Sequence, residues 1–244
     1  MQKVAIILAG GEGRRAGGDV PKQFRMLAQH PVVWWSMKAF YDEDPEVLII
    51  LVLQPGFFDD WDLLVEELPI RDRIECHLCC GGKDRVHSVA NGLSALSEII
   101  SQKGLTPRDV MVAVHDGARP LLTPDMIRRG WSSVGPGICG VPAIPPVNSL
   151  RRLTENDRPI EESDSVSVPR SEYVEVQTPQ VFTGEDAIRC YEERDPEGVY
   201  TDDASIAEAA GMKVRLYRGS ETNIKITNPL DHEIASLLLR EIRD

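Results

Sequence analysis

The sequence has no stretch approaching the roughly 20 consecutive apolar residues that a bilayer-spanning helix requires. The apolar run at 4–9 is too short for the core of a secretory signal and passes straight into a glycine loop, so a cytoplasmic protein is expected. Cysteine is scarce. Its five positions, Cys76, Cys79, Cys80, Cys139 and Cys190, are odd in number and lack framework spacing, which fits reduced thiols. The cluster at 76–80 invites a zinc reading. Adjacent Cys79 and Cys80 would point to opposite faces of a strand, however, and no second ligand pair follows, so a plain buried strand is the expectation. Positive charge is also short, with 27 Lys and Arg against 39 Asp and Glu and a net charge of -12. Such a surface repels phosphate, which argues against non-specific binding to nucleic acid or anionic membranes. Any anionic ligand must be held by a local group of cations, so where the few lysines and arginines fall is informative. No Ser/His/Asp or Cys/His constellation for nucleophilic catalysis stands out. There is no internal repeat and no low-complexity linker.

What is present is alternation. Apolar runs at 4–8, 47–53, 74–78 and 110–114 read as strands buried on both faces, as in a parallel sheet. Helix patterns lie between them at about 32–41, 57–67 and 84–100, the last with Asp84 as N-cap and Val86, Val89, Leu93 and Leu96 on one face. The β-α-β order implies an α/β, doubly wound, Rossmann-like and mostly parallel sheet, with ligands beyond the carboxyl ends of the strands. A length of 244 residues with 42% hydrophobic content fits one domain spanning 1–244. The segment at about 147–176 breaks the rhythm and reads as a projecting β-hairpin arm, marginal alone and best supported by a second subunit. Further helices are expected at 184–194 and 202–210, a strand at 213–217, and a last helix after Asn228-Pro229.

Three loops follow strands. The first contains Ala9, Gly10, Gly11, Gly13 and Arg15, with Lys22 shortly after. Its glycines let backbone N–H groups approach phosphate oxygens, and Arg15 and Lys22 add positive charge. A structural glycine turn is the alternative. Gly11-x-Gly13-x-x-Ala16 also matches a dinucleotide fingerprint, but the second strand ends Leu53-Gln54-Pro55 where an acidic residue should meet the ribose, and Pro21 cuts short the helix the fingerprint requires. The Walker pattern fails as well, because Asp19 follows Gly18. The second loop, 81–88, offers Gly82, Arg85 and Ser88 at a helix start, where N–H groups and a hydroxyl could read a base; a turn plus helix cap would look the same. The third, 114–120, carries Asp116. A carboxylate beside a triphosphate implies an intervening cation, so Mg²⁺ is expected there; an Asp116–Arg119 ion pair holding the loop is the alternative, and both can hold at once. His115 reads as structural, Thr201 as a helix N-cap and Lys225 as an edge-strand lysine.

In this order the motifs AGGEGRR (9–15), PKQ (21–23), GGKDRVHSV (81–89), VHDGARP (114–120), TPQ (178–180), TDDAS (201–205) and NIKIT (223–227) resemble the 2-C-methyl-D-erythritol 4-phosphate cytidylyltransferase family over nearly the whole chain. The resemblance implies an enzyme of isoprenoid precursor biosynthesis that transfers CMP from CTP to 2-C-methyl-D-erythritol 4-phosphate, releases pyrophosphate and uses Mg²⁺ or another divalent cation; the arm adds the expectation of a homodimer. It assigns Arg15 and Lys22 to the CTP α-phosphate, Arg170 and Lys225 to the methylerythritol phosphate, and Gly82 and Ser88 to cytosine. Ser149, Thr178 and Thr201 would place hydroxyls near the substrate. Departures from the family pattern are Asn148-Ser149 for Asp-Thr in the arm, Pro169 before Arg170, and Lys83. They bear on the acceptor, and a ribitol-5-phosphate cytidylyltransferase is the alternative. An NAD-dependent dehydrogenase would share the first loop but lacks its ribose carboxylate, and a non-catalytic nucleotide sensor would not need Lys22 and Lys225.

Overall fold

In the computed structural model, residues 1–11, 21–155 and 159–243 are described, and structural statements concern these. Along the chain run β1 (Gln2–Leu8), β2 (Met26–Leu27), β3 (His30–Pro31), α1 (Val32–Glu43), β4 (Leu48–Leu53), α2 (Phe58–Glu67), β5 (His77–Cys80) and α3 (Arg85–Gln102). Then follow β6 (Val110–Asp116), α4 (Pro124–Ser133), β7 (Ile138–Ile144), β8 (Arg151–Leu153), β9 (Ser165–Ser167), β10 (Glu175–Val176) and β11 (Gln180–Thr183). The chain ends with α5 (Gly184–Glu192), α6 (Asp203–Ala209), β12 (Lys213–Arg218) and α7 (Pro229–Arg243).

β1 lies at the centre, parallel to β4 on one side and to β6 on the other, and β5 continues the parallel run beyond β4. β11 joins antiparallel to β6, and β7 pairs with β10, β11 and, in parallel, β12. Side-chain alternation splits the core into two layers. Val4 and Ile6 of β1, with Leu48, Ile50 and Val52 of β4, pack toward Val89, Leu93 and Leu96 of α3 and Ala187 of α5. Ala5 and Ile7, with Ile49, Leu51 and Leu53, pack toward Val33, Met37 and Phe40 of α1, Trp61 of α2 and Met126 of α4. Each such aliphatic side chain stabilises the fold by about 1.5–3 kcal/mol. Both faces are apolar because both are covered. This is the doubly wound, mostly parallel α/β sheet that the sequence implies.

The register then places the functional loops. Leu8 pairs with Val52 and Asp116, and Leu53 with Cys80, so four strands, β1, β4, β5 and β6, end at about one level. The ladder runs one residue into each loop: Ala9 N–H donates to Val52 O (2.9 Å), Gly117 N–H to Leu8 O (2.9 Å) and Gly81 N–H to Leu53 O (2.6 Å). The glycine loops, Gln54 and Asp116 are therefore brought together by sheet geometry alone.

Some expectations are corrected. The strand expected at 74–78 pairs only at His77–Cys80, and it is an edge strand: Cys79 is buried and Cys80 exposed. Ile74 and Cys76 pack against the core from the preceding loop, which is why their alternation imitates a strand. Residues 223–227 form no strand, so Lys225 is not an edge-strand lysine. Helix α6 is capped by Asp202, whose carboxylate accepts from Ser205 N–H at 2.9 Å; Thr201 is exposed one residue outside the cap. Helix α4 and strands β7 and β11 were not legible from the pattern.

The arm projects from this body. β8 and β9 form their own antiparallel pair, Arg151 opposite Ser167 and Leu153 opposite Ser165. Arg151 Nε donates to Ser165 Oγ at 2.7 Å, but none of the paired residues is buried. The return strand β10 rejoins the main sheet on Ile144 and Ala143, so both roots of the arm meet at the end of β7.

Candidate active site

A cavity of about 780 Å³ opens at the strand ends. Its walls include Ala9, Gly10, Gly11, Lys22, Gln54, Gly82, Lys83, Arg85, Ser88, Asp116 and Lys225. In a chain of net charge -12, the described residues that line this space include the cations Lys22, Lys83, Arg85 and Lys225 beside the carboxylates Asp84 and Asp116. The bulk surface repels polyanions and this cavity attracts them.

Asp116 is the electrostatic centre. Lys225 Nζ lies 2.8 Å from its carboxylate, Arg85 Nε 3.6 Å and Arg119 Nε 3.7 Å. Burial would raise the carboxyl's pKa. The charges of Lys225 and Arg85, the Lys225 hydrogen bond and the Arg119 charge overcome this and hold it well below the usual carboxylate range. Arg85 is itself fixed from behind by a bidentate pair to the fully buried Asp203, both contacts at 2.7 Å. The Tyr191 hydroxyl also donates to Asp203. Thus α6 anchors Arg85, and Arg85 reaches the third loop.

The neighbouring His115 is fully buried between these charges. Burial pushes its pKa down to about 4, Asp116 opposing the shift and Arg119 adding to it, so the ring is neutral at physiological pH. Its Nε2 faces Arg119 O at 3.4 Å, an acceptor, so Nε2 carries the proton. Nδ1 then accepts from the Thr178 hydroxyl at 3.0 Å, while Thr178 Oγ1 accepts from Asp116 N–H at 3.1 Å. Thr178 thus holds Asp116 in place from outside the cavity wall.

The second loop closes on the start of α3. A Cβ on Gly82 would lie 2.4 Å from His87 Cβ, so only glycine fits there. Gly82 N–H donates to Ser88 Oγ at 3.0 Å, and the Ser88 hydroxyl donates to Asp84 O at 2.7 Å. Asp84 caps the helix by accepting from His87 N–H at 2.9 Å. The Ser88 hydroxyl is therefore engaged in shaping the loop. On the facing wall Lys22 Nζ donates to Ile226 O at 3.1 Å and Ile226 N–H to Ala118 O at 2.8 Å, tying the first loop, the third loop and the Lys225 segment together.

Of the residues singled out from sequence, the structure gathers Ala9, Gly10, Gly11, Lys22, Gly82, Arg85, Ser88, Asp116 and Lys225 around one cavity. Gly13 and Arg15 lie outside the described residues. Thr178 stands behind the wall. Ser149, Arg170 and Thr201 do not line the cavity, and Arg170 instead donates to Val147 O at 2.5 Å within its own arm. Sequence reasoning did not assign Gln54, Asp203 or Thr227. Gln54 carried one signal, a polar side chain closing an apolar strand.

Comparison with known proteins shows the family. A family model described as 2-C-methyl-D-erythritol 4-phosphate cytidylyltransferase matches residues 3–241. The protein of that name from Bacteroides thetaiotaomicron is 40% identical over 240 residues, covering 98% of this chain and 100% of that one. Its namesake from Synechococcus elongatus is 32% identical over 237 residues, covering 97% and 95%. The crystal structure of 2-C-methyl-D-erythritol 4-phosphate cytidylyltransferase from Thermus thermophilus superposes with a TM-score of 0.70 at 26% identity, covering 96% of this chain and 98% of the other. A 4-diphosphocytidyl-2C-methyl-D-erythritol synthase crystal structure gives 0.74 at 25%, covering 98% and 99%. The chain belongs to the 2-C-methyl-D-erythritol 4-phosphate cytidylyltransferase family.

Proposed function

We propose that the chain transfers CMP from CTP to 2-C-methyl-D-erythritol 4-phosphate, releasing pyrophosphate, as a step of isoprenoid precursor biosynthesis. The convergence of Lys22, Arg85 and Lys225 on one cavity of an otherwise acidic chain carries this reading. A phosphate oxygen of the acceptor attacks the α-phosphorus of CTP, and the bond to the pyrophosphate oxygen breaks. The acceptor is already ionised and needs no general base. The barrier is repulsion between two polyanions, which Lys22 and Lys225 lower by positioning and by holding charge where it develops. Arg15 joins them in this reading.

Asp116 fits a magnesium site of the kind that uses one carboxylate and completes its shell with substrate phosphates and water. No group of three or more His, Cys, Asp or Glu side chains is assembled among the described residues, so a cage made by protein alone is not what this cavity offers. When bound, the ion neutralises triphosphate charge. In this structure Lys225, Arg85 and Arg119 balance the charge of Asp116.

Gly82 reads the cytosine edge, and the arm supports a homodimer in which Arg170 serves the neighbouring subunit. Arg170 lies exposed on the arm and away from its own cavity, which favours that division. Ser149 and Thr201 would serve the acceptor only with such a rearrangement of partners. No helix among the described residues is long and apolar enough to cross a membrane, and five free cysteines fit a cytoplasmic enzyme. The relatives' names favour methylerythritol phosphate over ribitol phosphate, and Gln54 stands where a dinucleotide-binding fold would need a carboxylate. The test is pyrophosphate release from CTP and magnesium with each of the two sugar phosphates. Turnover with the methylerythritol compound is expected; turnover with ribitol phosphate alone would replace the acceptor, and none with either would remove the reading.

A further inference from the structure

Gln54 is the first residue after β4, and it sits between two loops that the sequence separates widely. A Cβ built on Gly10 would lie 3.5 Å from Gln54 Nε2, and one on Gly81 only 3.0 Å from the same atom. The side chain therefore fills the gap between Gly10 and Gly81, which have no side chains of their own. Its Nε2 lies 3.1 Å from Gly82 O. A carbonyl oxygen only accepts, so the amide must present its NH₂ group to it.

The backbone of Gly82 is thus held at both polar groups. Its N–H is taken by Ser88 Oγ at 3.0 Å, and one lone pair of its carbonyl by Gln54. A carbonyl oxygen has two lone pairs, so this bond leaves the Gly82 carbonyl with acceptor capacity for a ligand in the cavity that Gly82 and Gln54 both line. An acceptor so placed pairs with an exocyclic amino group and repels a second carbonyl. Cytosine has an amino group at the position where uracil has a carbonyl.

We propose that Gln54 is a positioning residue for nucleobase selection. It orients the Gly82 carbonyl as an amino-group acceptor and sets the distance between the two glycine loops. The inference rests on the cytidylyltransferase reading and adds to it the side chain that fixes the base-reading backbone. Neither of the hydrogen bonds that hold Gly82 can be supplied by the loop's own flanking glycine, Gly81. The strand end supplies the missing one.

The test compares wild type with Gln54→Ala, Gln54→Met and Gln54→Glu, measuring kcat and KM for CTP, for UTP and for the sugar-alcohol phosphate. Loss of one neutral hydrogen bond corresponds to roughly a two- to tenfold weakening. Gln54→Ala and Gln54→Met are expected to raise KM for CTP by about that factor. Their kcat at saturating CTP and their KM for the acceptor should stay near wild type. The CTP-to-UTP ratio of kcat/KM should fall in both. Gln54→Glu keeps the size and places a carboxylate against the Gly82 carbonyl, so its KM for CTP should rise further. A general loosening of the fold would move the acceptor KM and kcat as well, which this split detects. If Gln54→Ala does not fold, the two isosteric variants carry the same expectations. Unchanged KM and unchanged base ratio in Gln54→Met, or a loss confined to kcat, would overturn the proposal. A wild-type enzyme that turns over UTP as well as CTP would overturn it too. A wild-type enzyme with no cytidylyl transfer at all would instead remove the reading on which it rests.

Discussion

Two regions of this chain solve the same problem, placing a charged side chain in space, by opposite means. At the strand ends Arg85 is gripped by Asp203 at two contacts of 2.7 Å, and Asp203 is fully buried beneath Tyr191. In the arm, Arg170 holds a single carbonyl of its own segment, on a hairpin whose paired residues are not buried. The cavity is built by a sheet with two covered faces. The arm has no such backing, and it exposes Val147, Ile160, Tyr173 and Val174 instead. A cation braced by the chain's own core is positioned before any ligand arrives. One on the arm needs a second surface, and in the proposed homodimer a second copy would supply it by symmetry.

The largest expected effect tests the braced side. Asp203→Ala removes the bidentate partner of Arg85, leaving the more distant Asp116 at 3.6 Å as its counter-charge, and removes the acceptor of the Tyr191 hydroxyl. Breaking one partner of a buried pair costs about 3–5 kcal/mol. Denaturant unfolding should show a loss of that order, and a loss below about 1 kcal/mol, the range of a surface pair, would remove the contrast between the two regions.

Next is Lys22→Ala, which acts where charge develops. An interaction made mainly in the transition state is worth about 2–4 kcal/mol, so kcat should fall about 10²–10³-fold with a smaller change in CTP binding. Normal kcat with a raised KM would assign Lys22 to ground-state binding.

His115 gives a smaller, pH-dependent signature. Its folded pKa of about 4 lies below the ordinary 6.5, so the unfolded chain takes up the proton first as pH falls. The stability it contributes is complete above about pH 6.5 and is lost between there and about pH 4, by no more than about 3 kcal/mol. Asp116 is shifted the same way, but its contribution is lost only at more acidic pH, below the ordinary carboxylate value. Chemical denaturation across pH 4–7 in chelator should show a shallower slope for His115→Asn than for wild type. Parallel slopes would mean that the ring titrates normally in the folded chain.

The smallest effect on stability belongs to the arm. Val166→Asp changes a half-exposed position on β9, where substitutions usually stay within about 0.5 kcal/mol. Its stability in dilute monomer should be nearly unchanged, while sedimentation should show weakened dimerisation. A wild-type chain that sediments as a monomer at every concentration would leave the arm without the role given to it.

Much of this was legible from the sequence, and the omissions have physical causes. The strands β1, β4 and β6 announce themselves by continuous apolar runs, because both faces are buried. β7 does not, since Gly140 and Pro142 interrupt its pattern; the sheet tolerates Pro142, whose carbonyl accepts from Gln177 N–H at 2.8 Å. Loop cations are visible as short motifs. The pairing of Arg85 with Asp203 joins residues 118 positions apart, and nothing local marks it. Gln54 stands in plain view as a polar strand end, but its place between Gly10 and Gly81 follows only from strand order. The family resemblance implies that Thr178 places a hydroxyl near the substrate. Its role behind Asp116 appears only once β11 is laid beside β6.

The central claim is that one active site draws its cations from two chains, Lys22 and Lys225 from the braced cavity and Arg170 from a partner's arm. Lys22→Ala and Arg170→Ala proteins, each expected to be nearly inactive, are unfolded, mixed equally and refolded together. With random pairing about half the dimers are mixed, and each mixed dimer holds one doubly damaged site and one intact site. The account predicts that roughly a quarter of wild-type activity returns. If mass spectrometry shows that mixed dimers have formed and no activity returns, Arg170 serves its own chain and the account is contradicted.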